Sequence, residues 1–197
     1  MTFTVFVPRD SNALALGANE TAEAIAKEAK ARGIDIKLVR NGSRGMFWLE
    51  PLVEVATDAG RIGFGPIEAD EVAALFDADF LNGGKHDKAL GLVEEIPYLK
   101  KQERLQFVRV GITDPVSLED YLAHDGYVGL KKAITMEAAA IVQEVTDSGL
   151  RGRGGAAFPT GIKWKTVLGA KADQKYIACN ADEGDSGTFS DRMVMED

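Results

Sequence analysis

Over the first eighty residues the apolar positions alternate between strand and helix spacing. Phe3-Thr4-Val5-Phe6-Val7 is β-branched and aromatic and predicts a strand over 3–7. Pro8 to Ala18 reads as a loop. Asn19 stands as the N-cap of a helix over about 20–32. Glu20 and Glu23 lie in its first turn, Lys27, Lys30 and Arg32 lie toward its end, and Gly33 stops it, so both charge signs match the helix dipole. Ile36, Leu38 and Val39 predict a second strand. Residues 52–56 and 62–64 predict a hairpin around Asp58-Ala59-Gly60, and 70–76 a short helix with Val72, Leu75 and Phe76 on one side.

Strand–helix–strand followed by hairpin–helix predicts an α/β fold whose N-terminal domain, residues 1–80, is a thioredoxin-like unit. Residues 81–116 carry Asn82-Gly83-Gly84, Ile96-Pro97 and Asp114-Pro115 and read as a linker, with Lys85-His86 in a solvated loop. From 117 the pattern turns helical. Ser117-Leu118-Glu119-Asp120 opens like a capping box with Asp in place of Glu. Thr135 stands before a helix over about 136–147, with Ala138, Ile141, Val142 and Val145 at helical spacing and Ser148-Gly149 at its end. Tyr176–Cys179 predicts a strand, which places Cys179 in its core.

The chain has 23 Lys and Arg against 31 Asp and Glu, a net charge of −8. That balance argues against a nucleic-acid or anionic-membrane binder, which needs a basic face. No run of about 18 apolar residues stands out, so no membrane insertion is expected. The single cysteine, Cys179, can form no internal disulfide and cannot alone hold a cluster or a thiolate zinc site, which suits a reducing, cytoplasmic compartment.

Two stretches carry candidate chemistry. In Gly149-Leu-Arg-Gly-Arg-Gly-Gly-Ala-Ala-Phe-Pro-Thr-Gly-Ile-Lys-Trp164, Gly152, Gly154 and Gly155 lack side chains where backbone N–H groups would approach an anion. Arg151, Arg153 and Lys163 add positive charge, and Phe158 and Trp164 offer flat faces. Phosphate donors beside aromatic faces suit a nucleotide-like cofactor. The dinucleotide fingerprint is imitated by Gly152-x-Gly154-x-x-Ala157, but a helix rather than a strand precedes it and Pro159 follows. Gly161-Ile162-Lys163-Trp164 fails the Walker pattern. The second stretch, Asn180-Ala-Asp-Glu-Gly-Asp-Ser-Gly-Thr188, would lie at the carboxyl end of the predicted strand, the usual ligand edge of an open α/β sheet. Its Asp182, Glu183 and Asp185 could reach ribose hydroxyls or a metal; the twelve-residue calcium loop is absent.

These segments, with Gly187-Thr-Phe-Ser-Asp-Arg192, resemble the family of flavin-binding NADH-dehydrogenase subunits. That family includes the 51-kDa-type subunit of respiratory complex I, the diaphorase of NAD-reducing hydrogenases and the β subunit of soluble molybdenum- or tungsten-dependent formate dehydrogenases. The resemblance covers about 90–197 and implies that residues 117–197 begin an FMN/NADH-binding α/β domain. It implies FMN and NAD as cofactors, with Gly152, Arg153, Gly154, Gly155 and Lys163 at FMN. Asn180, Asp182 and Glu183 would line the ribityl chain and ring edge, Phe158 would stack on the nicotinamide nucleotide, and Asp185 would lie near that nucleotide. Glu183 is the catalytic candidate: a carboxylate beside the flavin disfavours extra negative charge on its reduced form.

By the same resemblance, the cysteine positions of a two-iron cluster in the thioredoxin-like unit would fall near Ser43 and Phe47. Neither is cysteine, so no metal is expected there, and Phe47 and Trp48 are expected to pack in the core. An exposed part of Met46-Phe47-Trp48-Leu49 would instead mark a partner interface. A cysteine-free extension with Asn41-Gly-Ser-Arg-Gly-Met-Phe-Trp-Leu-Glu-Pro51 looks most like the β subunit of formate dehydrogenase, ranked ahead of the hydrogenase diaphorase, with complex I third. The implied partners are an α subunit carrying molybdenum or tungsten and a two-iron ferredoxin-like γ subunit. Family chains continue well past Asp-Arg-x-x-Met-Glu and hold a 4Fe-4S cluster there. The chain therefore reads as an N-terminal piece of a longer protein.

Overall fold

A computed structural model describes residues 2–153, 155–182 and 190–197. They fall into two compact units, residues 1–124 with 181–197, and residues 125–180.

In the first unit, β1 (Phe3–Phe6) and β2 (Ile36–Val39) run parallel with Phe3 opposite Ile36, joined through α1 (Ser11–Ala15) and α2 (Ala18–Arg32). β3 (Val53–Thr57) is antiparallel to β1 and turns into β4 (Gly60–Phe64), with Thr57 Oγ1 donating to the Gly60 carbonyl at 2.7 Å. A 3-10 turn at Ala69–Glu71 leads into α3 (Val72–Asp77), and β5 (Ala89–Leu92) completes the sheet in the order β2-β1-β3-β4-β5. The β-α-β half and the β-β-α half meet at β1 and β3, the thioredoxin-like arrangement predicted from the element order.

Alternation along β3 explains the two faces. Val53 and Val55 join Val5, Ile25, Phe64, Leu75 and Phe80 in the core beneath α2 and α3. Phe80 meets Phe64 and Phe76 edge to face at 5.8 and 5.0 Å. Glu54, between the two valines, points the other way and is also fully buried. There it takes paired 2.9 Å hydrogen bonds from Arg44, whose third nitrogen reaches Glu94 at 2.7 Å. Arg61 approaches Glu54 at 3.3 Å and lies 3.5 Å from the Phe6 ring centroid. A smaller cluster of Met46, Leu52, Val93 and Leu99 packs nearby.

Several local readings change. The loop before α2 contains α1, capped by Asp10 accepting from the Asn12 N–H. Gly17, at φ 94°, takes the N-cap of α2, while Asn19 accepts from Arg40 at 2.9 Å. Residues 81–116, read as a linker, supply β5, α4 (Pro97–Lys100) and the buried Leu99 and Val110; their Gly and Pro residues punctuate short elements. Ser117 caps α5 (Leu118–Ala123) as predicted, its hydroxyl accepting from the Asp120 N–H at 3.1 Å.

The second unit contains α6 (Val128–Ala133), α7 (Ala138–Asp147) and α8 (Thr160–Gly169). Thr135 donates to the Lys132 carbonyl, closing α6 rather than opening α7. Gly149, at φ 68°, ends α7 as expected. Tyr176–Cys179 forms no strand: among the described residues no strand of this unit is there to pair with it. Ile177 is 96% exposed, and Cys179 is exposed rather than in a core.

Candidate functional site

The glycine-rich segment links α7 to α8 as a loop closed at its neck. The Gly152 N–H donates to the Phe158 carbonyl at 2.8 Å and the Thr160 N–H to the Leu150 carbonyl at 2.9 Å. These bonds flank an isolated antiparallel bridge between Arg151 and Pro159. Pro159 then precedes the first turn of α8, where its missing N–H costs nothing.

The glycines divide by cause. Gly149 is required by its positive φ. Gly161 is required by packing, because a Cβ there would lie 2.4 Å from Thr146 Oγ1 and 2.6 Å from Thr146 Cα, where α8 crosses α7. Gly152 and Gly155 are required by neither. Neither has a left-handed φ; a Cβ on Gly152 would make an ordinary 3.6 Å contact, and one on Gly155 would meet nothing within 4 Å. Glycine at 155 therefore leaves open backbone on the outside of the loop, the condition under which a ligand can approach the main chain closely.

The surroundings suit an anion carrying a ring. Arg151 and Arg153 are exposed, and Arg153 donates to the Arg151 carbonyl at 2.9 Å. Lys163 sits with its Nζ 5.8 Å from the Phe158 ring centroid, and Phe158 and Trp164 are each 44% exposed. The second unit holds eight Lys and Arg against five Asp and Glu (8 − 5 = +3), although the whole chain is −8. Positive charge is thus concentrated on the unit that bears the loop.

Gly152, Arg153, Gly155, Phe158 and Lys163 are brought together on this loop and the first turn of α8. Gly154, Glu183 and Asp185 lie outside the described residues. Asn180 and Asp182 are exposed, and with no strand at 176–179 the expected strand-end setting for Asn180 is absent. The packing role of Gly161 is not legible in the sequence, because it depends on Thr146 of α7, fifteen residues earlier. Among the described residues, no helix is long and apolar enough to cross a membrane, and no group of three or more His, Cys, Asp and Glu is arranged to hold a metal.

Comparison with known proteins gives a consistent direction. The chain is 59% identical over 97 residues to HndC, a component of the NADP-reducing hydrogenase of Solidesulfovibrio fructosivorans, covering 49% of this chain and 20% of that protein. It is 50% identical over 88 residues to a component of the NADH-quinone oxidoreductase of Rhizobium meliloti, covering 44% and 21%. The chain thus spans about a fifth of the length of these relatives. Among solved structures, a thioredoxin-like 2Fe-2S ferredoxin from Aquifex aeolicus matches with a TM-score of 0.40 at 15% identity, covering 46% of this chain and 97% of that one. Residues 145–197, which contain the whole glycine-rich loop and α8, match the family described as the Nuo51 FMN-binding domain.

Proposed function

We propose that the chain is part of a diaphorase module of the NADH-dehydrogenase type, binding FMN and NAD(H) in a multi-subunit oxidoreductase. The observation that carries this reading is Gly155, open to solvent without a conformational or packing reason, inside a stretch similar to an FMN-binding domain. FMN, when bound, exchanges a hydride with the nicotinamide and single electrons with an iron–sulfur cluster. The protein's own groups prepare that site. The backbone at Gly155 would face the phosphate, with Gly152, whose own N–H is committed to the Phe158 carbonyl, closing the neck of the loop, and Arg153 and Lys163 would neutralise it. Phe158 offers its exposed face to the nicotinamide nucleotide. By the same resemblance, Asn180 and Asp182 would hold the ribityl chain and ring edge, Glu183 would be the carboxylate that disfavours negative charge on reduced flavin, and Asp185 would lie near the nucleotide.

The similarity to components of a hydrogenase and of a quinone oxidoreductase supports the diaphorase reading and favours a hydrogenase or quinone oxidoreductase setting over the formate dehydrogenase ranked first from the sequence. Formate as that substrate, with molybdenum or tungsten α and two-iron γ subunits as partners, is the narrower reading. What favours it is the absence of cysteine at the two loop positions: Ser43 instead bonds Glu50 and the Gly45 N–H, and Phe47 starts a 3-10 turn. The test is the purified full-length protein. It should show a flavin absorbance band and reduce an artificial acceptor with NADH, and Phe158→Ala should raise KM for NADH without releasing flavin. A protein with neither the band nor NADH oxidation refutes the proposal.

A further inference from the structure

Trp48 and Phe47 were expected in the core, but Trp48 is 60% exposed and Phe47 half-buried. The Trp48 ring stands perpendicular to that of Tyr98 at 5.1 Å, and Tyr98 is itself 39% exposed. The pair sits on a firm base. Their chain neighbours Leu49 and Leu99 anchor them: Leu99 belongs to the buried cluster with Met46, Leu52 and Val93, Leu49 packs against it, and the Phe47–Leu49 turn is closed by the Leu49 N–H donating to the Met46 carbonyl at 2.8 Å. Two large aromatic rings held rigidly at the surface are the composition of an interface anchor.

Tyr98 also lines a cleft of about 210 Å³ with Arg44, Gln102, Arg104 and Phe107. The two arginines differ in their partners. Arg44 is matched by Glu54 and Glu94. Arg104 donates only to neutral oxygens: Gln102 Oε1 at 3.1 Å, the Val110 carbonyl at 3.1 Å and the Arg44 carbonyl at 3.0 Å. Among the described residues, no carboxylate forms an ion pair with it or with the exposed Lys101. Burial and the neighbouring Arg44 charge push the Arg104 guanidinium below its usual pKa, against the opposing pull of Glu94, Tyr98 and Asp197. Leu105 and Val108, in the same stretch of chain, are 74% and 55% exposed.

We infer that this face, Trp48 with Tyr98 beside Arg104 and Lys101, docks a partner protein presenting a carboxylate next to an apolar side chain. Charge selects that occupant. The first unit carries −11, the chain's −8 less the +3 of the second unit, so an anionic polymer or lipid surface is repelled while a single carboxylate is accommodated. The inference does not depend on the flavin reading, none of whose residues lies on this face.

The test uses the full-length protein purified with the subunits that accompany it, each identified by mass spectrometry. Segments 46–49 and 97–105 should exchange amide hydrogens roughly tenfold more slowly in the assembly than in the isolated chain. Trp48→Ala and Lys101→Glu, both at exposed side chains, should each raise the dissociation constant of the protecting partner about tenfold with the melting temperature kept. Trp48→Phe should retain most of the affinity. Unchanged exchange, or unchanged affinity in the Trp48→Ala/Lys101→Glu double variant, overturns the inference. So does protection that comes from a second copy of this chain, or from a partner segment lacking Asp and Glu. An unaltered full-length protein that docks as described but holds no flavin and does not oxidise NADH would count against the diaphorase reading alone.

Discussion

Replacing Glu54 with leucine removes a fully buried carboxylate that holds two guanidinium groups, Arg44 through paired 2.9 Å bonds and Arg61 at 3.3 Å. Breaking a buried pair from one side costs about 3–5 kcal/mol, because the remaining charge stays in the low-dielectric interior. The lower end applies here. Arg44 keeps Glu94, whose carboxylate is largely solvated, and Arg61 keeps the Ile112 carbonyl at 2.8 Å. Arg44→Met should cost at least as much, since Glu54 then retains only Arg61. The double variant removes Arg44 and Glu54 together and leaves only Arg61 without its carboxylate, so it should cost less than the two single changes added, by roughly 2 kcal/mol. Urea unfolding followed by circular dichroism measures all four proteins, with equal m-values as the check on comparability. Additivity to within about 0.5 kcal/mol, or a Glu54→Leu cost under about 1 kcal/mol, would refute the coupling of Arg44 and Glu54 as a stabilising buried pair.

Other expectations are independent of that network's size. Burial, with the nearby Asp10 charge, pushes the Glu50 carboxyl from 4.5 to about 8. Because the folded value lies above the unfolded one, the contribution to stability is full below about pH 4.5 and declines as pH rises toward 8, by about 1.4 kcal/mol per pH unit. Glu50→Gln should flatten that part of the profile in urea titrations at successive pH values, and an unchanged slope would contradict it. Gly161→Ala should lower thermal stability by about 1–3 kcal/mol through the clash with Thr146, whereas Gly169→Ala, in the same helix with open space around it, should be neutral or stabilising by up to ~1 kcal/mol. Equal effects at the two positions would remove the packing explanation for Gly161.

Local signals made the first eighty residues readable. The β-branched runs and the acidic-to-basic gradient of α2 place strand and helix without tertiary information, and the Val53–Val55 alternation gives the core face. What alternation does not give is the fate of the residue between. Glu54 reads as a solvated strand position until Arg44, ten residues earlier, closes over it. Trp48 misled for the opposite reason, since an aromatic residue in an apolar run reads as core unless a surface turn is foreseen. At the loop, composition identified the chemistry but could not sort the glycines. Gly149, Gly155 and Gly161 look alike in sequence and differ only in φ and in what a Cβ would meet. The strand at 176–179 failed because β-propensity describes a residue's fit to a sheet, and among the described residues the second unit supplies none.

Flavin content of the full-length protein after Gly155→Val tests the central claim most directly. Gly155 has open space around it, so the side chain should leave the melting temperature of the flavin-free protein unchanged and obstruct only a ligand at the loop. The account predicts one FMN per chain in the unaltered protein and in a Gly169→Ala control, and FMN affinity weakened about tenfold or more in Gly155→Val, equivalent to at least ~1.4 kcal/mol. A Gly155→Val protein that folds normally and keeps stoichiometric FMN with unchanged affinity would contradict it.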